Sequence, residues 1–393
     1  MSRLSVENLI FKAKEELRAL LGKSIQPEDI TVSIAPGRAN LIGEHTDYNN
    51  GYVMPLAIDK HTVIVGTKLN ERKIFVKSLH FNEKKIFSLN DIKFKKEDKW
   101  VNYLKGVLFF LTQEDYKFDH GAAIVITNDL PVNAGVSSSA SLEVSFANFI
   151  SKLYNFNLDK KMIAEISFKA EREFMNISCG IMDQYIITFA KTSTLLFLDT
   201  LEKKFEYISF PTNKAKIVLV DSRVKHEAKQ VLNERRQECQ NAVNILRKFD
   251  NTIKSLRDVT PEIFEKYKNK LPEKLRKRVE HVVFENQRVI QTVDVLKKGK
   301  LEDLGKILRE GHESCKRLYE VSCYELDLLV DLAYDIEGTI GARLTGAGFG
   351  GNTINVVYSD SVNDFAKVIS EKYKEKVGFT PGIIITDPVS GVV

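Results

Sequence analysis

Apolar positions change their spacing several times along this chain, and the changes mark out its elements. From residue 6 to 21 they recur every three or four places among charged residues, the pattern of a helix lying on a surface. Residues 31–35 suit a short strand, and further strands are expected over 59–67, 73–79 and 85–89. A helix is expected from Trp100 to Leu111, followed by an apolar, β-rich run from Ala122 to Thr127. Helical spacing resumes at Leu142 and again over 159–174. Strands at 194–198 and 216–221 lead into a strongly helical part, with helices at 227–248, 261–268, 271–298, 300–310 and 325–337. A strand at 352–358, a helix at 361–376 and a strand at 380–386 follow.

Length and charge narrow the picture. At 393 residues the chain exceeds one typical core, so two domains are expected, 1–200 and 201–393, divided by pattern rather than by a composition break. A net charge of +5, from 58 basic against 53 acidic side chains, is too mild to require a nucleic-acid or membrane partner. The basic run at 266–281 alternates with acids and apolar residues, which suits a solvated helix face better than a nucleic-acid surface. Cys179, Cys239, Cys315 and Cys323 form no C-x-x-C pair, and the amphipathic N-terminus is not a secretory leader. Reduced thiols in a cytoplasmic protein are expected, and no apolar run approaches the length of a membrane span.

Three stretches carry candidate chemistry. The first, Leu130 to Ser141, reads LPVNAGVSSSAS and joins a strand to a helix start. A helix start exposes unpaired N–H groups and partial positive charge, and small side chains let a phosphate come close. Ser137, Ser138 and Ser139 can cap the helix, touch phosphate oxygens or meet a metal ion; an ordinary serine cap fits as well. There is no Walker A ending, and Gly22-Lys23-Ser24 lacks the earlier glycine that motif needs. The second stretch, residues 35–55, packs Arg38, Asn40, Glu44, His45, Asp47 and Tyr48 between apolar flanks. Such a cluster is costly unless its members find partners, and a polyhydroxyl ligand supplies them. The third is glycine-rich, Gly341 to Gly351, and precedes a strand, so it is no dinucleotide fingerprint. Glu171 and Asp183 stand apart as acids near the first stretch. An oxygen-donor site for Mg²⁺ is one use for them and a structural pair is the other. Trp100 and Tyr103 could stack on a purine, although aromatic residues on a helix are more often core.

Four patches fit one pattern. Pro36 to Tyr48 resembles the galactokinase signature, and Pro131 to Ser141 resembles the ATP motif of the GHMP kinases (galactokinase, homoserine, mevalonate and phosphomevalonate kinases). Cys179 to Gln184 is similar to the galactokinase catalytic segment, and Leu344 to Gly351 to the third GHMP motif. The resemblance implies an α+β, two-domain GHMP kinase fold. Its N-terminal domain would be ribosomal-S5-domain-2-like with a left-handed βαβ unit, and its C-terminal domain ferredoxin-like. It implies ATP-dependent phosphorylation of a sugar's anomeric hydroxyl, with ATP and Mg²⁺ required. Arg38 and Asp183 would flank that hydroxyl, while Glu44, His45, Thr46 and Asp47 would bind the rest of the sugar. Asn133, Ala134, Gly135, Val136, Ser137, Ser138 and Ser139 would wrap the triphosphate, with Ser78 on the nucleotide side. Ser139 and Glu171 would hold Mg²⁺. The implied partners are small molecules only, with the protein a monomer or weak oligomer. Three positions depart from the family pattern: Leu232 where a tyrosine usually precedes the Asn-x-Arg-Arg run, Asn133 in place of a glycine, and Asn352 in place of a cysteine. Leu232 keeps open a 1-kinase for N-acetylgalactosamine or a uronic acid, and a non-catalytic sugar sensor is a further alternative.

Overall fold

The structure is a computed structural model that describes residues 2–393 other than 23–24, 132–134 and 225–227. The first half begins α1 (Ser2–Leu21), β1 (Thr31–Asn40), β2 (Tyr52–Val53), β3 (Pro55–Leu69), β4 (Lys73–Ser78) and β5 (Glu83–Ser88). It continues α2 (Val101–Gln113), β6 (Gly121–Asn128), α3 (Ser138–Tyr154), α4 (Lys160–Lys169), α5 (Met182–Phe189), β7 (Thr194–Asp199) and β8 (Lys204–Ser209). Five strands form one sheet in the order β1-β3-β6-β4-β5, and β2-β7-β8 form a smaller one. One face of the large sheet packs on α2 to α5 through Leu104, Leu108, Phe146, Phe149 and Ile186. Ala13 and Leu17 of α1 pack with Val63, Val65 and Val125 from the sheet.

Strand β1 runs five residues past the expected end at Ala35. Its pairing with β3 slips between Pro36 and Gly37. Proline has no N–H for the ladder, and a bulge absorbs the mismatch. Gly37 leaves room for Leu130, whose Cδ2 would lie 2.3 Å from an added Cβ. The strand thereby continues through Arg38 to Asn40.

The second half runs β9 (Ala215–Asp221), α6 (Ala228–Leu246), α7 (Pro261–Tyr267), α8 (Glu273–Lys297), α9 (Leu301–Ser314) and α10 (Tyr324–Tyr334). Then come β10 (Thr339–Leu344), β11 (Asn352–Tyr358), α11 (Val362–Val377) and β12 (Gly382–Thr386). The sheet order β10-β11-β9-β12, antiparallel throughout, is the ferredoxin-like arrangement. Three strands escape the sequence pattern. β2 is only two residues long, Tyr52 and Val53. The start of the glycine-rich third stretch, through Leu344, is strand rather than loop. In β8, Phe205 and Tyr207 alternate with charged residues over only six positions, and just Ile208 is fully buried. The halves share a core in which Leu41, Ile42 and Met54 pack with Ile217, Leu219 and Val289.

Candidate active site

The polar loop after β1, the turn before α3 and the start of α5 converge between the two halves. Arg38 sits near the end of β1, and Asp183 lies in the first turn of α5. The guanidinium grips the carboxylate with two bonds, Nε to Oδ1 at 2.7 Å and Nη2 to Oδ2 at 3.0 Å. Such a fork fixes both planes at once. The third nitrogen donates to the Gly135 carbonyl, and the Ser137 hydroxyl donates to Asp183 Oδ2. Ser137 caps α3 in a left-handed conformation at φ 57°; its carbonyl accepts the Ser141 N–H at 3.0 Å, while its side chain makes no bond to the helix. The Arg38 N–H donates to the Val136 carbonyl at 3.2 Å, while the Val136 side chain is buried in the shared core. Gly135 to Ser137 thus fold over the Arg38–Asp183 pair. Asn133 and Ala134 lie outside the described residues.

Beside this pair opens a cleft of about 670 Å³ lined by Asn40, Glu44, His45, Asp47 and Tyr48 on its polar side. Ile177, Cys179, Met182 and Leu232 form the less polar side. Glu44 accepts from Asn40 Nδ2 at 3.1 Å and pairs with Arg343 at 2.7 Å. Burial pushes its carboxyl up to about 7 against the opposing pull of Arg343. Burial also lifts Asp47 to about 6, and the charge of Asp183 adds to it. His45 stacks on Tyr319 at 4.8 Å, and its Nδ1 lies 2.9 Å from the Tyr48 hydroxyl. Burial holds its ring down to about 3, so it is neutral at physiological pH. His45 Nε2 and Asn40 Oδ1 are buried without partners. Orphaned polar atoms on a cleft wall suit a ligand rich in hydroxyls. Thr46 does not reach the cleft. Its hydroxyl bonds the carbonyls of Gly43 and Tyr52 and closes the loop on itself.

A second cleft of about 830 Å³ lies on the other side of the serine turn, with Ser78, Trp100, Tyr103 and Asn128 among its walls and Ser138 and Ser139 at its border. Trp100 and Tyr103, favoured as core by the sequence pattern, therefore face a cavity. Trp100 also stacks on Phe81 and donates to Glu83 at 3.1 Å. Glu171 sits in a π-helical turn, Ala170–Phe174, that follows α4. Ser139 Oγ donates to it at 2.8 Å and Gln184 Nε2 at 2.7 Å. Glu143 is buried beside the same glutamine. Burial raises both carboxyls, and the charge of Asp183 adds to the effect on Glu171. Ser137 thus points to one cleft and Ser139 to the other. Among the described residues no preformed group of three or more His, Cys, Asp or Glu side chains suits a metal ion.

Sequence reasoning missed the residues of the second half that back the polar loop. Glu285, Arg343, His281 and Tyr319 are all buried. The sequence carries little signal for them: Glu285 and His281 sit among the many charges of α8, and Arg343, although the lone charge of β10, lies in the glycine-rich stretch.

An acid clamped by an arginine, under a small-residue turn at a helix start and between two clefts, is the layout of a small-molecule kinase. Residues 102–191 match the GHMP kinases N terminal domain and residues 292–375 the GHMP kinases C terminal domain. Residues 16–68 match the galactokinase galactose-binding signature. The chain is 41% identical over 363 residues to galactokinase from Pyrococcus furiosus, covering 92% of this chain and 99% of that one. It is 41% identical over 345 residues to galactokinase from Thermotoga maritima, covering 88% and 94%. A crystal structure of Lactococcus lactis galactokinase complexed with galactose superposes with a TM-score of 0.92 at 31% identity, covering 96% of this chain and 98% of that one. Methanococcus jannaschii mevalonate kinase shares the fold, with a TM-score of 0.65 at 22% identity. The chain belongs to the galactokinase family of the GHMP kinases.

Proposed function

We propose that this protein transfers the γ-phosphoryl group of ATP to the anomeric C1 hydroxyl of D-galactose, giving galactose 1-phosphate and ADP. The observation that carries this assignment is the Arg38–Asp183 fork where the polar cleft meets the serine turn. The sugar would occupy the cleft of Glu44, His45 and Asp47, offering its hydroxyls to their acceptors and to the orphaned His45 Nε2 and Asn40 Oδ1. The base and ribose would occupy the cleft of Ser78, Trp100 and Tyr103, with the phosphates crossing the turn between them.

Asp183 orients the C1 hydroxyl and takes its proton as the new P–O bond forms. Phosphoryl transfer passes through a loose transition state, so positioning and charge neutralisation matter more than early deprotonation. Arg38 fixes that carboxylate and offers positive charge beside the transferring group. Ser139 and Glu171 are hard oxygen donors, and burial raises the Glu171 carboxyl despite the hydrogen bonds of Ser139 and Gln184 and the charge of Arg38, which fits a Mg²⁺ site. A bound Mg²⁺ would neutralise phosphate charge. Among the described residues no helix is long and apolar enough to cross a membrane.

A panel of galactose, N-acetylgalactosamine, galacturonate and glucose, scored by ADP release with ATP and Mg²⁺, tests the assignment. Galactose is expected to give the highest kcat/KM. A faster second sugar overturns the named substrate, and sugar and ATP binding without turnover would restore the sensor alternative.

A further inference from the structure

The polar loop that lines the sugar cleft belongs to the first half of the chain but is held by the second. The Gly43 N–H donates to Glu285 of α8 at 3.0 Å, and the Tyr52 N–H to Asn286 at 2.8 Å. The Glu44 carbonyl lies 3.1 Å from His281 Nε2, and the Tyr48 hydroxyl 3.0 Å from that of Tyr319. Arg343 of β10 sits at the centre of these contacts. One terminal nitrogen reaches Glu44 at 2.7 Å and the other reaches Glu285 at 2.6 Å. Both side chains of the Arg343–Glu285 pair are 0% exposed, and neither lines the cleft.

A buried cation placed there is costly unless it is fully paired. The chain makes room for it on purpose-shaped ground. An added Cβ at Gly311 of α9 would lie 2.6 Å from Arg343 Nη1, so any larger residue there would have to displace the guanidinium. Glu285 balances the charge, accepts from the loop backbone at Gly43, and is itself held by Arg288 at 2.7 Å. One carboxylate therefore fixes both the loop and the arginine, and the arginine fixes the acid that faces the sugar.

We infer that Arg343 and Glu285 are positioning residues for sugar recognition: they aim the Glu44 carboxylate into the cleft from the opposite half of the molecule. This rests on the placement of the sugar beside Glu44. Because the contact to Glu44 is a buried ion pair and the Arg343–Glu285 pair touches neither nucleotide cleft nor Asp183, the effect is confined to sugar affinity.

A double-mutant cycle tests it on the whole enzyme. Arg343→Lys and Glu285→Gln are each combined with Glu44→Gln, and kcat and both KM values are measured. Each single change is expected to raise the galactose KM about tenfold, with kcat and the ATP KM moving less than about threefold. In the Glu44→Gln background the same changes should add less than about twofold, since the group they act through is already altered. Equal factors in both backgrounds overturn the inference, as does a parallel loss of kcat and ATP affinity. If Arg343→Lys fails to fold, the isosteric Glu285→Gln runs the cycle alone. An unmutated enzyme inactive on galactose would instead remove the functional assignment, and this inference with it.

Discussion

Arg38 and Asp183, 145 residues apart in sequence, meet through two parallel hydrogen bonds of 2.7 and 3.0 Å. The fork ties the end of β1 to the first turn of α5 and leaves the acid partly open to the cleft. Among the described residues Asp183 is thus the one carboxylate touching the arginine, the serine turn and the sugar cleft together. Asp183→Ala should fold normally, since the side chain lies at a cleft rather than in a core. Its kcat should fall about 10²- to 10⁴-fold, the range for removing a group that handles a proton. Turnover by the purified variant, with circular dichroism confirming its fold, decides the matter; a near-normal rate would falsify the assigned role.

Glu171 should act on the metal and not on the sugar. It is held between Ser139 and Gln184, away from Glu44 and Asp47. Glu171→Gln should raise the Mg²⁺ concentration for half-maximal rate about tenfold or more, within the range for losing one oxygen ligand or its support. The galactose KM should stay within about threefold. Superimposable Mg²⁺ titration curves for variant and parent would remove Glu171 from the metal site.

How far the site was legible differs between its two sides. Arg38, Glu44, His45 and Asp47 crowd into one loop, and a polar cluster among apolar strands announces itself. Asp183 stood out as an acid among apolar neighbours, but only the resemblance of the segment around it implied a role at the reacting hydroxyl. Arg343 and Glu285 were invisible: Glu285 is one of many charges along α8, Arg343 lies in a stretch whose glycines suggest a loop, and nothing along the chain says that residue 44 lies opposite both. Trp100 and Tyr103 show a related limit. A helix face that borders a cavity carries the same apolar spacing as one that borders a core, so the pattern over 100–111 fixed the helix but not its neighbour. Chain pairing explains the rest: β1 outran its expected end because a bulge at Pro36 lets it continue.

Trp100 gives a prediction for the nucleotide side. It lines the cleft with Tyr103 and stacks on Phe81, presenting an aromatic wall. A base stacked on such a ring is worth about 1–3 kcal/mol, so Trp100→Ala should raise the ATP KM about tenfold. The galactose KM, measured at saturating ATP, should not follow it. An unchanged ATP KM would place the base elsewhere.

Sugar affinity should depend on pH through Glu44 and Asp47, pushed up to about 7 and about 6 by burial. Arg343, Glu285 and His281 surround the first acid, and Asp183 and Arg38 the second. Ionised carboxylates accept hydroxyl hydrogen bonds better, so the galactose KM should fall as pH rises from about 5.5 to 7.5 and then level off. Stability of the ligand-free protein should move the other way. Both acids bind protons more tightly folded than unfolded, so the stability they contribute is present at low pH. It is lost as pH rises from about 4 through about 7. Glu44→Gln should abolish the upper step in both profiles; a KM flat across this range would detach these acids from the sugar.

Gly180 makes the most local prediction. It lies just before α5, and an added Cβ there would stand 2.0 Å from Asp47 Oδ2 and 2.8 Å from Asp47 Cβ. No rotation of the acid clears both, so a methyl at 180 must push Asp47 or its loop out of place. Gly180 shows no left-handed backbone, which means alanine meets no conformational strain of its own. The effect of Gly180→Ala is therefore steric and aimed at one side chain. Losing a charge-assisted hydrogen bond costs about 1.5–3 kcal/mol, so the galactose KM should rise about 10- to 100-fold. The ATP KM should stay near that of the parent, because Ser78, Trp100 and Tyr103 lie beyond the serine turn. Asp47→Ala provides the reference: if Gly180 acts only through this acid, the glycine change should add little in that background. A large further loss there would mean that the methyl group disturbs Asp183, three residues on, rather than Asp47.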